Sequence, residues 1–228
     1  VERRTFLRAS ALSLGISGAA GTAVASAANP LRIQVLMFEG VEELDFGAPV
    51  EVLSIAGALT GGAIRTTQVT TGRPGTVTCV HGTKVVVGQG WSPRDADVLV
   101  VPGGGRYSDP NGTGVRRLMA DKAFLDRLAA VEALPVGICT GTMVLAAAGI
   151  TRGRNATTHH RAKADLAARG ANVVDARVVD DGDLITGGGI TSGLDVALWL
   201  VERFLGARTA HQVETQMEYE RRGTVWRP

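Results

Sequence analysis

A doubly wound α/β fold, built on a mainly parallel sheet flanked by helices, is what this chain predicts on three observations. Apolar runs of strand length recur at 31–38, 64–70, 97–101 and 134–138, with segments of helical period between them. Glycine is abundant at 30 residues while aromatics make up 4 %, a composition suited to many tight strand–helix turns. The 228 residues show no internal repeat, heptad run or low-complexity tract, so one domain with a single sizeable core is expected.

The first 27 residues read as a separate segment. Glu2-Arg3-Arg4-Thr5-Phe6-Leu7-Arg8 is basic and carries a twin arginine. Ala9 to Ala23 is moderately apolar and rich in Ala, Gly and Ser, and Ala25-Ser26-Ala27 puts small residues where a signal peptidase reads them. The pattern predicts a twin-arginine export signal over 1–27, cleaved near Ala27, ahead of one domain over 28–228; the product would be extracellular or periplasmic. The apolar stretch is too short and too weakly hydrophobic for a membrane anchor, so the mature form is expected to keep no membrane contact. The net charge is +2, and cleavage would remove Glu2, Arg3, Arg4 and Arg8, which leaves the two signs balanced. No Lys/Arg block stands out beyond Arg221-Arg222, so a nucleic-acid partner is not expected. A twin-arginine substrate folds in the reducing cytoplasm, so Cys79 and Cys139 are expected to stay unpaired, with Cys79 a packing residue in a strand-like stretch.

The elements follow in order. The run 31–38 is a central strand ending in a Glu39-Gly40 turn. Pro49 suits the first turn of a helix reaching about Ala56, with Asp45 in the loop or first turn after the strand. Sites in open α/β sheets collect outside the carboxyl ends of the strands, so Asp45 is placed either for chemistry or simply as a cap or solvated acid. After the strand 64–70, a turn at 72–75 leads to short strands over 76–80 and 84–88, a hairpin or edge excursion. The strand 97–101 runs into Pro102-Gly103-Gly104-Gly105, which is either a tight loop or a nest of backbone N–H groups for a developing negative charge. The polar loop 106–114 is placed to act as a lid or specificity segment. Val115 to Ala120 forms a short helix, and Asp121 caps the next. Arg161 to Arg169 is helical, and 173–174, 178–179 and 184–186 are strands. Ser192 with Asp195 has the spacing of a capping box for a helix whose core face is Leu194, Ala197, Leu198, Val201, Phe204 and Leu205. A last helix spans about 209–218. Neither the His159-His160 pair nor the Asp-rich turn 180–183 has partners at metal-ligand spacing, so no metal is expected.

Cys139 lies between the apolar run 134–138 and Met143 to Ala148, which is apolar all round and reads as a buried helix. Gly137 and Gly141 leave room for a sharp bend. This is the layout of a nucleophile elbow with cysteine in the serine position. A helix N-terminus there would lower the thiol pKa. The bland alternative is an inert core cysteine.

Three stretches taken together decide between these readings: Ile138-Cys139-Thr140-Gly141 with Ala146-Ala147-Ala148-Gly149-Ile150; Gly153-Arg154-Asn155-Ala156-Thr157-Thr158-His159; and 184–195, with Gly187-Gly188-Gly189-Ile190-Thr191-Ser192-Gly193-Leu194-Asp195. Over 31–220 the chain resembles the ThiJ/PfpI superfamily, and within it the isonitrile hydratase branch. The resemblance implies a flavodoxin-like sandwich, a homodimer, a small-molecule substrate and no cofactor. It implies a nucleophile at Cys139, a catalytic acid at Asp45, Thr140 directly after the nucleophile, and a backbone pocket from Gly103, Gly104, Gly105 and Ile190. Proteases of the superfamily carry histidine where Thr140 stands, and its glyoxalase- and deglycase-like members carry glutamate where Asp45 stands. The activity implied is hydration of an organic isonitrile to an N-substituted formamide. The alternatives are an exported stress, redox-sensing or ligand-binding protein, and an amidase or deglycase on the same cysteine.

Overall fold

The four apolar runs lie side by side as parallel strands of one sheet. The computed structural model describes residues 25–109 and 111–228. Its elements run β1 (Leu31–Met37), α1 (Glu43–Leu59), β2 (Ile64–Thr70), β3 (Gly75–Thr78), β4 (Lys84–Val87), β5 (Val98–Val101), α2 (Val115–Ala120), α3 (Lys122–Ala129), β6 (Leu134–Ile138) and α4 (Gly141–Ala147). Then come β7 (Asn155–Ala156), α5 (Lys163–Ala168), β8 (Asn172–Val173), β9 (Val178–Asp180), β10 (Ile185–Gly187), α6 (Ser192–Leu205) and α7 (Ala207–Met217). The main sheet has six strands in the order β2-β1-β5-β6-β10-β9, all parallel except β9, which pairs antiparallel with β10. The hairpin β3–β4 forms as the alternation at 76–80 and 84–88 predicts. Residues 1–24, which hold most of the expected export signal, lie outside the described residues. Ala25 donates its N–H to the Phe204 carbonyl, so the described chain begins against the end of α6.

Burial follows from the layering. All four residues of β5 are buried, as a central parallel strand covered on both faces requires. α1 packs against α6, which carries α7, while α4 meets α2 and α3. Asp121 caps α3 through a bond from the Phe124 N–H. No helix among the described residues is long and apolar enough to cross a membrane.

Two local expectations are corrected. α1 begins at Glu43 rather than near Pro49, and Pro49 lies inside it. Proline lacks the N–H that would bond the Asp45 carbonyl, but Phe46, Ala48, Val52 and Leu53 are all buried, and tertiary packing outweighs the interruption. The Ser192–Asp195 capping box does not form. Ser192 is already helical, the N-cap is Thr191 without a side-chain cap bond, and the Asp195 carboxylate is taken by Arg177, Tyr219 and the Arg222 N–H.

The sheet order explains where a site can form. From β1 the chain goes to β2 on one side, and β5 pairs on the other, so the order reverses between β1 and β5. The loops leaving β1, β5, β6 and β10 all emerge at carboxyl ends around that crevice.

Candidate active site

Each of those four loops contributes to one cluster. The loop after β6 is Cys139 itself, which joins the strand to α4 with φ +56. A left-handed conformation costs a non-glycine residue roughly 1–2 kcal/mol. Backbone bonds hold it: the Cys139 N–H donates to the carbonyls of Gly187 (3.1 Å) and Gly188 (2.9 Å), and the Thr158 hydroxyl donates to the Cys139 carbonyl at 2.8 Å. The bend is therefore carried by the cysteine. The flanking glycines serve close approach instead: a Cβ on Gly141 would lie 1.9 Å from the Val101 carbonyl oxygen, and one on Gly137 2.7 Å from Thr142 Oγ1.

Asp45 comes from the first turn of α1 and is 0 % exposed. Its Oδ2 accepts the Gly103 N–H at 3.0 Å, while Oδ1 is buried with no hydrogen-bond partner. Thr140 Oγ1 accepts the Gly104 N–H at 3.2 Å. Gly103 has to be glycine, because a Cβ there would lie 2.6 Å from Thr140 Oγ1 and 2.7 Å from Asp45 Oδ2. The glycine turn after β5 thus binds both acid and threonine through its amides. Gly105 packs elsewhere, against Thr113 and Gly114 at the entry to α2. Ile190, from the loop after β10, is held at φ +29 and points its N–H toward the Cys139 sulfur, as does the Thr140 N–H.

The electrostatics correct the expectation of an acidic thiol. Burial pushes the Cys139 thiol up to about 12, and the nearby Asp45 charge pushes the same way, against bonds from the Ile190 and Thr140 N–H groups. Burial also raises Asp45 to about 7, opposed by its interactions with the Cys139 thiol and the Gly103 N–H. Desolvation and a neighbouring carboxylate outweigh the helix N-terminus. Near neutral pH the thiol keeps its proton while the carboxyl beside it titrates.

His159 lies beside this cluster: a Cβ on Gly189 would lie 2.8 Å from its Cδ2. It stacks on His160 with ring centroids 4.2 Å apart, accepts the Arg161 N–H, and is held below the ordinary imidazole range by burial and by its basic neighbours. The triad Glu42, Glu43 and His81 brings ligand-type atoms within 4.8 Å of one another. Glu43 already accepts the His81 and Thr83 N–H groups, so these residues fasten the β3–β4 hairpin to α1. Cys79 and Cys139 are both free and buried, and Cys79 lies in the core. The Thr158 hydroxyl on the Cys139 carbonyl carries no signal of its own in the sequence beyond lying in the stretch 153–159, whereas the stretch 187–195 and Ile190 marked the turn after β10.

Comparison with known proteins places this arrangement. Residues 31–203 match the DJ-1/PfpI family. The chain is 38 % identical over 192 residues to the isonitrile hydratase of Pseudomonas putida, covering 83 % of this chain and 78 % of that protein. It is 30 % identical over 195 residues to the Parkinson disease protein 7 homolog of Danio rerio, covering 82 % and 96 %. The crystal structure of a ThiJ/PfpI family protein from Pseudomonas syringae superposes with a TM-score of 0.73 at 29 % identity, covering 85 % of this chain and 77 % of the other. The chain belongs to the DJ-1/PfpI family.

Proposed function

We propose that the protein is a cysteine-dependent hydro-lyase that converts an organic isonitrile to its N-substituted formamide. The observation that carries this reading is the buried pair of one thiol and one carboxyl, Cys139 and Asp45, with no histidine directly after the nucleophile. Similarity to a curated isonitrile hydratase over most of both chains supports it.

The chemistry balances on those two groups. As the Cys139 sulfur bonds to the terminal isonitrile carbon, its proton passes to the Asp45 carboxylate. Asp45 then delivers that proton to the same carbon, and a thioimidate results. Water adds to this carbon while Asp45 accepts one of its protons. Asp45 passes that proton to the nitrogen; the carbon–sulfur bond then breaks as the new hydroxyl becomes the formyl carbonyl, its proton returns to the Cys139 sulfur by way of Asp45, and the formamide leaves with the thiol and the carboxylate restored. The Ile190 and Thr140 N–H groups stabilise charge on sulfur as it forms and as it leaves.

The test is formamide production from a simple alkyl isonitrile by the purified protein, with Cys139→Ala alongside. The expected result is product from the wild type and a loss of more than about 10³-fold in the variant. Turnover of glyoxals or amides with no action on isonitriles would instead assign the same cysteine to the deglycase or amidase chemistry of other members.

We propose further that residues 1–27 direct twin-arginine export and that the mature protein is a homodimer. Replacing Arg3 and Arg4 by lysine should hold the protein in the cytoplasm, and light scattering should give twice the chain mass. Export unchanged by the replacement, or a monomer mass, would refute the respective proposal.

A further inference from the structure

The turn after β10 fixes much of the nucleophile's geometry, and a half-buried ion pair outside the site grips that turn. The Gly187 and Gly188 carbonyls hold the Cys139 N–H, and Ile190 directs an amide at the sulfur from φ +29, a strained setting for a β-branched residue. Such strain persists only where the surroundings over-determine it. The Gly188 N–H donates to the Arg177 carbonyl at 2.9 Å. From there the Arg177 side chain reaches over the turn. Its Nη1 and Nη2 donate to Thr191 Oγ1 at 3.3 and 3.2 Å, and its Nε and Nη2 donate to Asp195 Oδ2 at 2.8 and 2.5 Å. Asp195 is 2 % exposed and is itself fixed by the Tyr219 hydroxyl (3.2 Å) and the Arg222 N–H (2.8 Å). Arginine thus spans from the anchored carboxylate to the residue next to Ile190.

We infer that Arg177 and Asp195 are positioning residues for Cys139: the Asp195–Arg177–Thr191 clamp holds the Gly187–Thr191 turn in its strained form and keeps the Ile190 amide at the sulfur. An ion pair of this kind adds little net stability over an apolar replacement; what this one does visibly is tie the anchored Asp195 carboxylate to Thr191 of the turn. Besides Arg177, Asp195 and Tyr219 of the clamp itself, the titratable groups around the turn are Asp45, facing the sulfur from α1, and His159, against Gly189. The variants below leave Asp45 and His159 in place.

The test reads the thiol directly and so does not depend on the isonitrile reading. Iodoacetamide alkylation of Cys139 in the full-length protein is followed by peptide mass from pH 6 to 10, in wild type, Asp195→Asn and Thr191→Val. Cys79 serves as the internal reference. Both variants are expected to alkylate Cys139 about tenfold more slowly at every pH from 6 to 10, as a thiol held about one unit higher requires, with Cys79 unchanged. Circular dichroism confirms folding at the assay temperature. If Asp195→Asn does not fold, Thr191→Val decides alone, because it leaves the Arg177–Asp195 pair intact. A folded variant with a lower melting temperature and wild-type Cys139 alkylation rates overturns the inference, since the clamp would then be structural only. Faster alkylation also overturns it, because the turn would then guard access and not tune the sulfur.

Discussion

The ionisation of Asp45 beside Cys139 sets the pH behaviour of the site. Asp45 can accept the thiol proton only when ionised, and burial has raised it to about 7. Reaction at Cys139 should therefore rise with pH through a limb near 7, and Asp45→Asn should abolish that limb; an unchanged limb in the variant would assign it to another group. The same shift is a stability statement. A carboxyl raised from 3.8 to about 7 stabilises the fold fully below 3.8, and that contribution is lost as pH rises through 7. The loss is on the order of 4 kcal/mol at one unit per 1.4 kcal/mol. Asp45→Asn, which keeps an acceptor for the Gly103 N–H, should thus gain on the wild type in urea midpoint between pH 4.5 and pH 8. Parallel midpoints would contradict the raised carboxyl. At this scale the sequence was legible in position and not in energy. The strand–turn–helix pattern located Cys139, and the carboxyl end of β1 located Asp45. The sign of the thiol shift depends on burial and on a partner 94 residues away, neither of which local pattern contains.

The elements show the same division. α4, α2 and the cap of α3 form where composition placed them, because their signals are local. α1 and the start of α6 differ because tertiary contacts overrule local chemistry. Buried Phe46 and Ala48 draw the helix back past Pro49, and Arg177 claims the Asp195 carboxylate that spacing assigned to a cap. Gly141 carries the consequence for packing. With its Cβ position 1.9 Å from the Val101 carbonyl, the elbow helix touches the end of β5 backbone to backbone. Gly141→Ala should destabilise the protein by about 3 kcal/mol and displace Cys139, read as a lower urea midpoint together with altered alkylation. A wild-type midpoint would mean that α4 can shift freely.

For the whole molecule, the site exists because four strand ends meet where the sheet order reverses. A second hub ties the far edge. Asp180, 5 % exposed, accepts from Arg203 Nη1 at 2.8 and 2.9 Å and from Trp199 Nε1 at 2.8 Å, joining β9 to α6. Trp226 pairs with the same strand, its carbonyl accepting the Asp180 N–H at 2.9 Å. Asp180→Ala strands the Arg203 charge and should cost about 3–5 kcal/mol, seen in the urea midpoint; a cost below about 1 kcal/mol would show the pair to be solvated. The parallel order and its crevice followed from alternation of strand and helix, and the Asp-rich turn 180–183 marked the return from β9 to β10, whereas the pairing of the C-terminal segment with β9 had no local sequence signal.

One measurement bears most directly on the Cys139–Asp45 chemistry. The protein is mixed with an alkyl isonitrile, quenched during turnover and digested, and the Cys139 peptide is weighed. Attack by sulfur with retention of the proton adds the whole mass of the isonitrile to that peptide, so the expected result is this adduct in the wild type, with formamide accumulating and neither in Cys139→Ala. Formamide produced equally by Cys139→Ala, or an isonitrile left untouched by a protein whose Cys139 still alkylates, would contradict it.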